Sequence, residues 1–398
     1  MPGRASPADL CALLGLRHPI VQAPMAGVQG HELAVAASRA GALGSLPSAT
    51  FSPEALKAEL QALSAALSVD GGDAGTPLPW AVNFFCHRPP GAKALQAEAA
   101  WCEAVAPWAR EAGLSPPVPA GAARAPFSEA LADMIEPFRP PVISFHFGLP
   151  APHLVDRIKR WGTKVLSSAT TVEEALWLEA HGADAVIAQG WEAGGHRGHF
   201  LKADQDLSGQ AGLFALLPRI VAAVRVPVIA AGAIVDAASA RAALALGAAG
   251  VQAGTAFLCC PEARTSAVHR AALAGRLTGV DADTAITAAF TGRPARALVN
   301  RWVRESAAVQ AHIPPFPLAA GALAGLRSQA EAAGRGDFSA LWAGQNTRAC
   351  RPVPAAQVVQ ELAAAFGTAL PTTPSTTASI TLSSRHPGTP QPLAGAPA

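Results

Sequence analysis

The chain has 398 residues, half of them hydrophobic, with 30 Lys and Arg against 28 Asp and Glu for a net charge of +2. That balance, without a dense basic block, argues against a nucleic-acid partner, and Gly, Pro or charge interrupts every apolar run before the roughly 18–20 residues of a membrane span. Residues 1–9 hold one Arg and no apolar stretch, so no secretory signal is expected, and six cysteines without a C-x-x-C pair fit free thiols in a reducing cytoplasm.

Short β-rich runs alternate with Ala/Leu-rich segments along the chain. Strands are predicted at 20–23, 42–46, 80–86, 142–147, 165–169, 185–189, 228–231 and 251–257. Helices are predicted at 31–40, 53–67, 91–112, 127–136, 151–161, 171–181, 212–224 and 236–246. Ser52-Pro53-Glu54, Thr171 ahead of Glu173 and Glu174, and Asp236 supply start signals. The strands are apolar rather than alternating, as expected of a parallel sheet buried on both faces. Eight such units predict an α/β fold, a (β/α)8 TIM barrel over residues 10–277, with an open doubly wound sheet as the alternative. The segment from 80 to 142 is long and Pro/Ala-rich at 116–126, which reads as a surface excursion. An eighth barrel helix is expected at about 261–274. Residues 278–367 read as a smaller, mainly helical appendage over the active-site end, ending in a helical run at 355–366. The Pro-, Thr- and Ser-rich tail, 368–398, is expected to be disordered.

In such a barrel the chemistry belongs at the C-terminal strand ends. The sixth strand runs into Gln189-Gly190-Trp191-Glu192-Ala193-Gly194-Gly195-His196-Arg197-Gly198, a loop stripped of side chains so that backbone approaches a ligand. The last two strands end alike, at Gly232 and Gly254, where backbone N–H groups suit a phosphate, and the helix after the seventh adds its positive N-terminus. Gln22, Asn83 and Gln189, with Met25 beside them, are neutral amide groups suited to a heterocycle that both donates and accepts. Phosphate plus amides point to flavin mononucleotide, and neither a Walker pattern nor a G-x-G-x-x-G after the first strand is present.

His146 lies in an apolar strand between Phe145 and Phe147. A satisfied core histidine is the bland reading. Ser144 and His146 share one face, though, and the phenylalanines the other, so the polar face points into the barrel mouth. With an ordinary pKa of about 6.5, His146 serves there as general base or as a cation for an anionic substrate. Cys86 and His87 point to opposite faces and form no dyad. The His196-x-x-His199 pair lacks supporting ligands, so no metal is expected.

Pro24-Met25-Ala26-Gly27, Asn83-Phe84, Ser144-Phe145-His146-Phe147-Gly148, the loop from Gln189 to Gly198, and Gln252-Ala253-Gly254-Thr255 together resemble the class I nitronate monooxygenases, formerly 2-nitropropane dioxygenases, from about residue 19 to 301. The glycine-rich loop is shared with FMN-dependent enoyl-acyl-carrier-protein reductases, and the Ser-Phe-His-Phe-Gly strand is the more specific part. The resemblance implies an FMN-containing TIM barrel that uses O2 to oxidise alkyl nitronates, such as propionate 3-nitronate, to a carbonyl compound and nitrite, in a cytoplasmic role of nitroalkane detoxification. It implies that Pro24, Met25 and Ala26 meet the isoalloxazine and that Asn83 and Gln189 hold its polar edge. Gly194, Gly195, Gly232, Gln252, Ala253, Gly254 and Thr255 would cradle ribityl and phosphate. His146 would be catalytic, with Ser144, His196 and Phe290 also on the substrate side. Tyrosine is absent from the chain, so no phenol orients the substrate and Phe290 stands where an aromatic is needed. The expected partners are the nitronate and O2, with a homodimer allowed. The alternative is an FMN-dependent NAD(P)H reductase of an enoyl thioester or a quinone. A non-redox phosphate-binding barrel is weaker, because Lys164 starts its strand rather than ending it.

Overall fold

The computed structural model describes residues 5–69, 77–91, 93–122 and 124–367. The tail expected to be disordered, 368–398, lies outside them. In chain order the strands are β1 (Ile20–Gln22), β2 (Gly44–Pro47), β3 (Trp80–Phe85), β4 (Val142–His146), β5 (Lys164–Ala169), β6 (Ala185–Gln189), β7 (Gly195–His196), β8 (Val228–Ala231), β9 (Gly250–Ala253), β10 (Thr284–Thr287) and β11 (Ala295–Leu298). Eight of them pair in parallel in the order β1-β9-β8-β6-β5-β4-β3-β2. The sheet then closes on itself. Gln22 N donates to Leu43 O at 2.9 Å and Leu43 N to Ile20 O at 2.8 Å, joining the β1 and β2 segments. The expected TIM barrel therefore forms, and the open sheet is excluded because no edge is left.

Strand alternation sorts the core. Val21, Leu43, Ala81, Leu166, Ile187 and Ile229 cluster inside the barrel, with Leu10, Leu14 and Leu16 from the N-terminal helix segment packed against them. Their neighbours face the helices: Ile20, Val186, Val228 and Val251 on one side of the ring, Val82, Phe84, Ile143 and Val165 on the other. Each such side chain contributes about 1.5–3 kcal/mol by leaving water. Among the described residues, no helix is long and apolar enough to cross a membrane.

Three features depart from the sequence expectations. The expected eighth barrel helix is only the two turns Ala267–Leu273, packed with Leu298 and Leu341 instead of the main helical ring. The helix Ala355–Ala363 packs against helices His31–Arg39 and Ala237–Ala245 instead. Its Ala355, Val358, Val359 and Leu362 make an apolar stripe at i, i+3, i+4 and i+7 that joins the cluster of Ile20, Leu33 and Val251. Second, the stretch from 284 to 298 is not helical: β10, β11 and β7 form an antiparallel sheet in which Ala295 and Arg296 pair with His196 and Gly195. Third, the segment after β3 is more than a surface excursion. Its helix Ala94–Glu111 buries Trp101, whose indole N–H donates to Ala319 O at 3.0 Å and whose ring meets Trp302 edge-on.

Candidate active site

One pocket opens at the C-terminal ends of the barrel strands. Of the site residues nominated from sequence, all but Gln22, Ala253 and Phe290 line it. Ala253 is buried, and its carbonyl accepts from Ala23 N at 2.8 Å, which fixes the end of β1 against β9. Phe290 lies behind Trp342, edge-on at 5.3 Å between ring centroids, and Trp342 is the aromatic that reaches the pocket. Gln22 is also withdrawn. Its amide donates to Gln29 and accepts from Ser45 N, while Gln29 accepts from Met25 N, so this pair shapes the loop after β1 from behind.

The glycine-rich loop is held by its own polar side chains. Gln189 Nε2 donates to His196 O at 2.9 Å and its Oε1 accepts from Gly198 N at 2.8 Å. Both ends of that amide are thus spent on the loop, leaving less for a ligand edge than the sequence suggests. Glu192 accepts from Leu213 N at 2.9 Å and so caps helix Leu213–Ala223, whose own N-cap is a glycine. Arg197, fully buried, donates to Gly190 O at 2.6 Å, to Gln189 O at 3.0 Å and to Gln210. It is a clamp beneath the loop, and burial lowers its pKa to about 10. Two glycines permit close approach: a Cβ on Gly194 would lie 2.5 Å from Gly344 N, and one on Gly198 2.7 Å from His146 Cε1.

The anion-binding end differs in one respect from the expectation. Asp236 caps helix Ala237–Ala245 in a capping box with Ser239, so a carboxylate already occupies that N-terminus. The donors that remain are in the turns that end β8 and β9. Among the described residues, the backbone N–H groups of Gly232, Ala233, Gly254 and Thr255 donate to no protein acceptor. Gly232 and Ala233 both have positive φ, at 122° and 56°. Thr255 Oγ1 accepts from Gly344 N at 2.9 Å, tying the 342–346 segment to this end. Gln252 Oε1 is buried without a donor among the described residues. Asn83 Nδ2 is spent on Ser144 O and Oγ, at 3.1 and 3.0 Å, whereas among the described residues no donor reaches its Oδ1. Free N–H groups at one end and unpartnered amide oxygens elsewhere fit a phosphorylated heterocycle with its own N–H and O–H donors.

β4 carries His146 into the pocket as alternation predicts, with Phe145 on the outer face. Phe147 breaks the alternation. Its φ of 70° turns its ring back onto Phe85 and His146, at 4.9 and 4.5 Å. His146 Nε2 meets His196 O at 3.2 Å and Nδ1 meets Ser168 Oγ at 3.1 Å. A carbonyl only accepts, so Nε2 carries the proton and Nδ1 accepts from the serine. The ring is half-buried by exposure but sits deep in protein. Burial foremost, then Arg293 and Arg197, lowers its pKa to about 3 despite the His196 carbonyl. The expected cation is therefore a neutral imidazole near pH 7. His196 is likewise pushed well below the usual range, by burial and then Arg124. Its Nε2 pairs with Thr291 Oγ1 at 2.9 Å, while His199 Nε2 pairs with Asp204 O at 3.0 Å.

Sequence reasoning missed Ser168, Phe85, Trp342, Asn346 and Arg124 as pocket residues. Ser168 and Phe85 were legible as the ends of β5 and β3. Trp342, Asn346 and Arg124 depend on how the two inserted segments fold over the barrel.

A protein-family model described as nitronate monooxygenase matches residues 8–365. A nitronate monooxygenase of Pseudomonas aeruginosa is 42% identical, over 88% of this chain and 96% of that protein. One from Paraburkholderia phytofirmans is 39% identical, over 89% and 93%. Among solved structures, a nitroalkane oxidase from Streptomyces ansochromogenes superposes with a TM-score of 0.78 at 38% identity, covering 89% of this chain and 99% of that one. FabK from Thermotoga maritima follows at a TM-score of 0.64 and 27% identity, covering 90% and 95%.

Proposed function

The chain belongs to the nitronate monooxygenase family, and from that membership we propose that it binds FMN and oxidises alkyl nitronates with O2 to a carbonyl compound and nitrite. The observation that carries this reading is one pocket in which His146 shares the space with the free N–H groups of Gly232, Ala233, Gly254 and Thr255. Those four groups would hold the FMN phosphate. Gln252 Oε1 would accept from a ribityl hydroxyl and Asn83 Oδ1 from a ring N–H, while Pro24, Met25 and Ala26 would line the ring. FMN, when bound, supplies the electron acceptance and the reaction with O2 that no side chain offers.

The residues of the chain do the positioning. A nitronate is already deprotonated, so its oxidation asks for no base. His146, neutral and protonated at Nε2, would donate that hydrogen to a nitro oxygen in place of His196 O. Ser168, donating to Nδ1, would fix the ring and its tautomer. Phe85 lines the pocket beside it, backed by Phe147 and Phe316 at 4.9 and 6.1 Å between ring centroids, and would shield the carbon chain from water.

Aerobic turnover tests this. FMN-loaded protein given propionate 3-nitronate should consume O2 and release nitrite, and protein stripped of FMN should do neither. Loaded protein that releases no nitrite from any alkyl nitronate would overturn the reading.

A further inference from the structure

Residues 342–350 run as an irregular strap along the pocket, which Trp342, Gly344 and Asn346 line. Gly344 N donates to Thr255 Oγ1 at 2.9 Å and Gln345 N to Glu192 O at 3.0 Å. The strap ends at Cys350, whose S–H donates to Thr255 O at 3.1 Å. Thr255 opens the turn after β9, and Cys259 follows that turn. Cys259 and Cys350 pack in one apolar cluster with Leu258 and Leu341, and their thiols lie within hydrogen-bonding reach of each other. Both are free thiols. Neither sulfur has a part in the chemistry proposed above.

The two sulfurs differ electrically. The Cys350 S–H can turn from Thr255 O to the Cys259 sulfur, and that hydrogen bond, with Arg270 and Arg276 nearby, holds Cys259 below the usual thiol range against its burial. Cys350 is pushed up, by Cys259 foremost and then by burial. Cys260, the next residue, is pushed up to about 12 by burial and then Glu262. A thiolate beside a protonated thiol is the arrangement in which oxidation of the first is followed by closure with the second.

We propose that Cys259 and Cys350 are a redox-modified pair, which a peroxide converts to a disulfide that fastens the strap to the barrel beside the pocket. The Cys259 thiolate attacks one peroxide oxygen, the O–O bond breaks and hydroxide leaves, so that Cys259 becomes a sulfenic acid. The Cys350 sulfur then attacks the Cys259 sulfur. The S–O bond breaks, the Cys350 proton departs with that oxygen as water, and the S–S bond forms. The two sulfurs together lose two electrons and the peroxide gains them. Cys350 is partly exposed, which gives a small oxidant a way in. A dithiol reductant reverses the step.

The test treats the full-length protein with equimolar hydrogen peroxide, blocks the remaining thiols and digests without reduction. Mass spectrometry should find the Cys259 peptide joined to the Cys350 peptide, and dithiothreitol should abolish the link. Cys260→Ser should keep it, whereas Cys259→Ser and Cys350→Ser should each lose it. Hydrogen exchange of the wild-type protein reads the effect on the strap: the amides of Gly344 and Gln345 should exchange roughly 10-fold more slowly after oxidation, and reduction should restore the faster rate. No link, links to other cysteines, or a link that needs Cys260 would overturn the pairing. A link that leaves exchange at Gly344 and Gln345 unchanged would overturn the fastening of the strap. These readouts need neither flavin nor turnover, so their outcome is independent of the nitronate reading.

Discussion

The histidine that strand alternation singles out reaches the pocket, but in a different electrical state from the one its ordinary pKa suggests. A side chain surrounded by apolar rings and two guanidiniums does not protonate near pH 7. Its value lies in a directed N–H, held by Ser168 on one nitrogen and released from His196 O on the other. His146→Asn removes this arrangement, because the shorter amide cannot reach both partners. FMN content should stay at the wild-type level while kcat for propionate 3-nitronate falls roughly 100-fold or more, the usual cost of deleting an oriented donor. Steady-state kinetics on flavin-matched samples check this, and unchanged kcat would remove His146 from the mechanism.

At the level of elements, the barrel was legible because apolar runs bounded by Gly and Pro mark strands buried on both faces. The strand ends then indicated the pocket. Thr171 and Asp236 read correctly as helix N-caps, each accepting from the N–H three residues on. The same correctness at Asp236 undid a further expectation: a helix start that carries its own carboxylate does not offer its dipole to a phosphate. Local patterns failed wherever position depends on distant segments. Nothing in residues 355–363 announces that this stripe completes the helical layer around β1, since an amphipathic helix looks alike wherever it docks. Phe290 and Trp342 are equally aromatic in sequence, and only the packing of one behind the other decides which meets the ligand. The prolines and alanines of 116–126 read as loop, yet Ala120 N and Gly121 N in that stretch donate to buried Glu98, 22 and 23 residues away.

Across the whole molecule, the site imposes a pH limit on stability. Burial lowers His87 and His269 to about 4 and His146 to about 3, and His196 well below the usual value. Unfolded, each titrates near 6.5, so between about pH 4 and 6.5 the unfolded chain binds more protons than the folded one. Stability from these groups is therefore full above pH 6.5 and is lost as pH falls. The fully buried His87 and His269 would each contribute up to about 1.4 kcal/mol per pH unit in that window. The calorimetric Tm should drop clearly from pH 7 to pH 5, and a flat profile would show that these rings are not held neutral. The fold itself is shared with proteins of more than one kind, as the likeness to both a nitroalkane oxidase and FabK illustrates. Function therefore has to be decided by what reduces the proposed flavin. The most direct measurement is an anaerobic titration of the FMN-loaded protein, followed by its visible absorbance, with propionate 3-nitronate and NADH added to separate samples. The flavin spectrum should change on adding the nitronate and stay constant with NADH. Reduction by NADH with the nitronate inert would contradict the account.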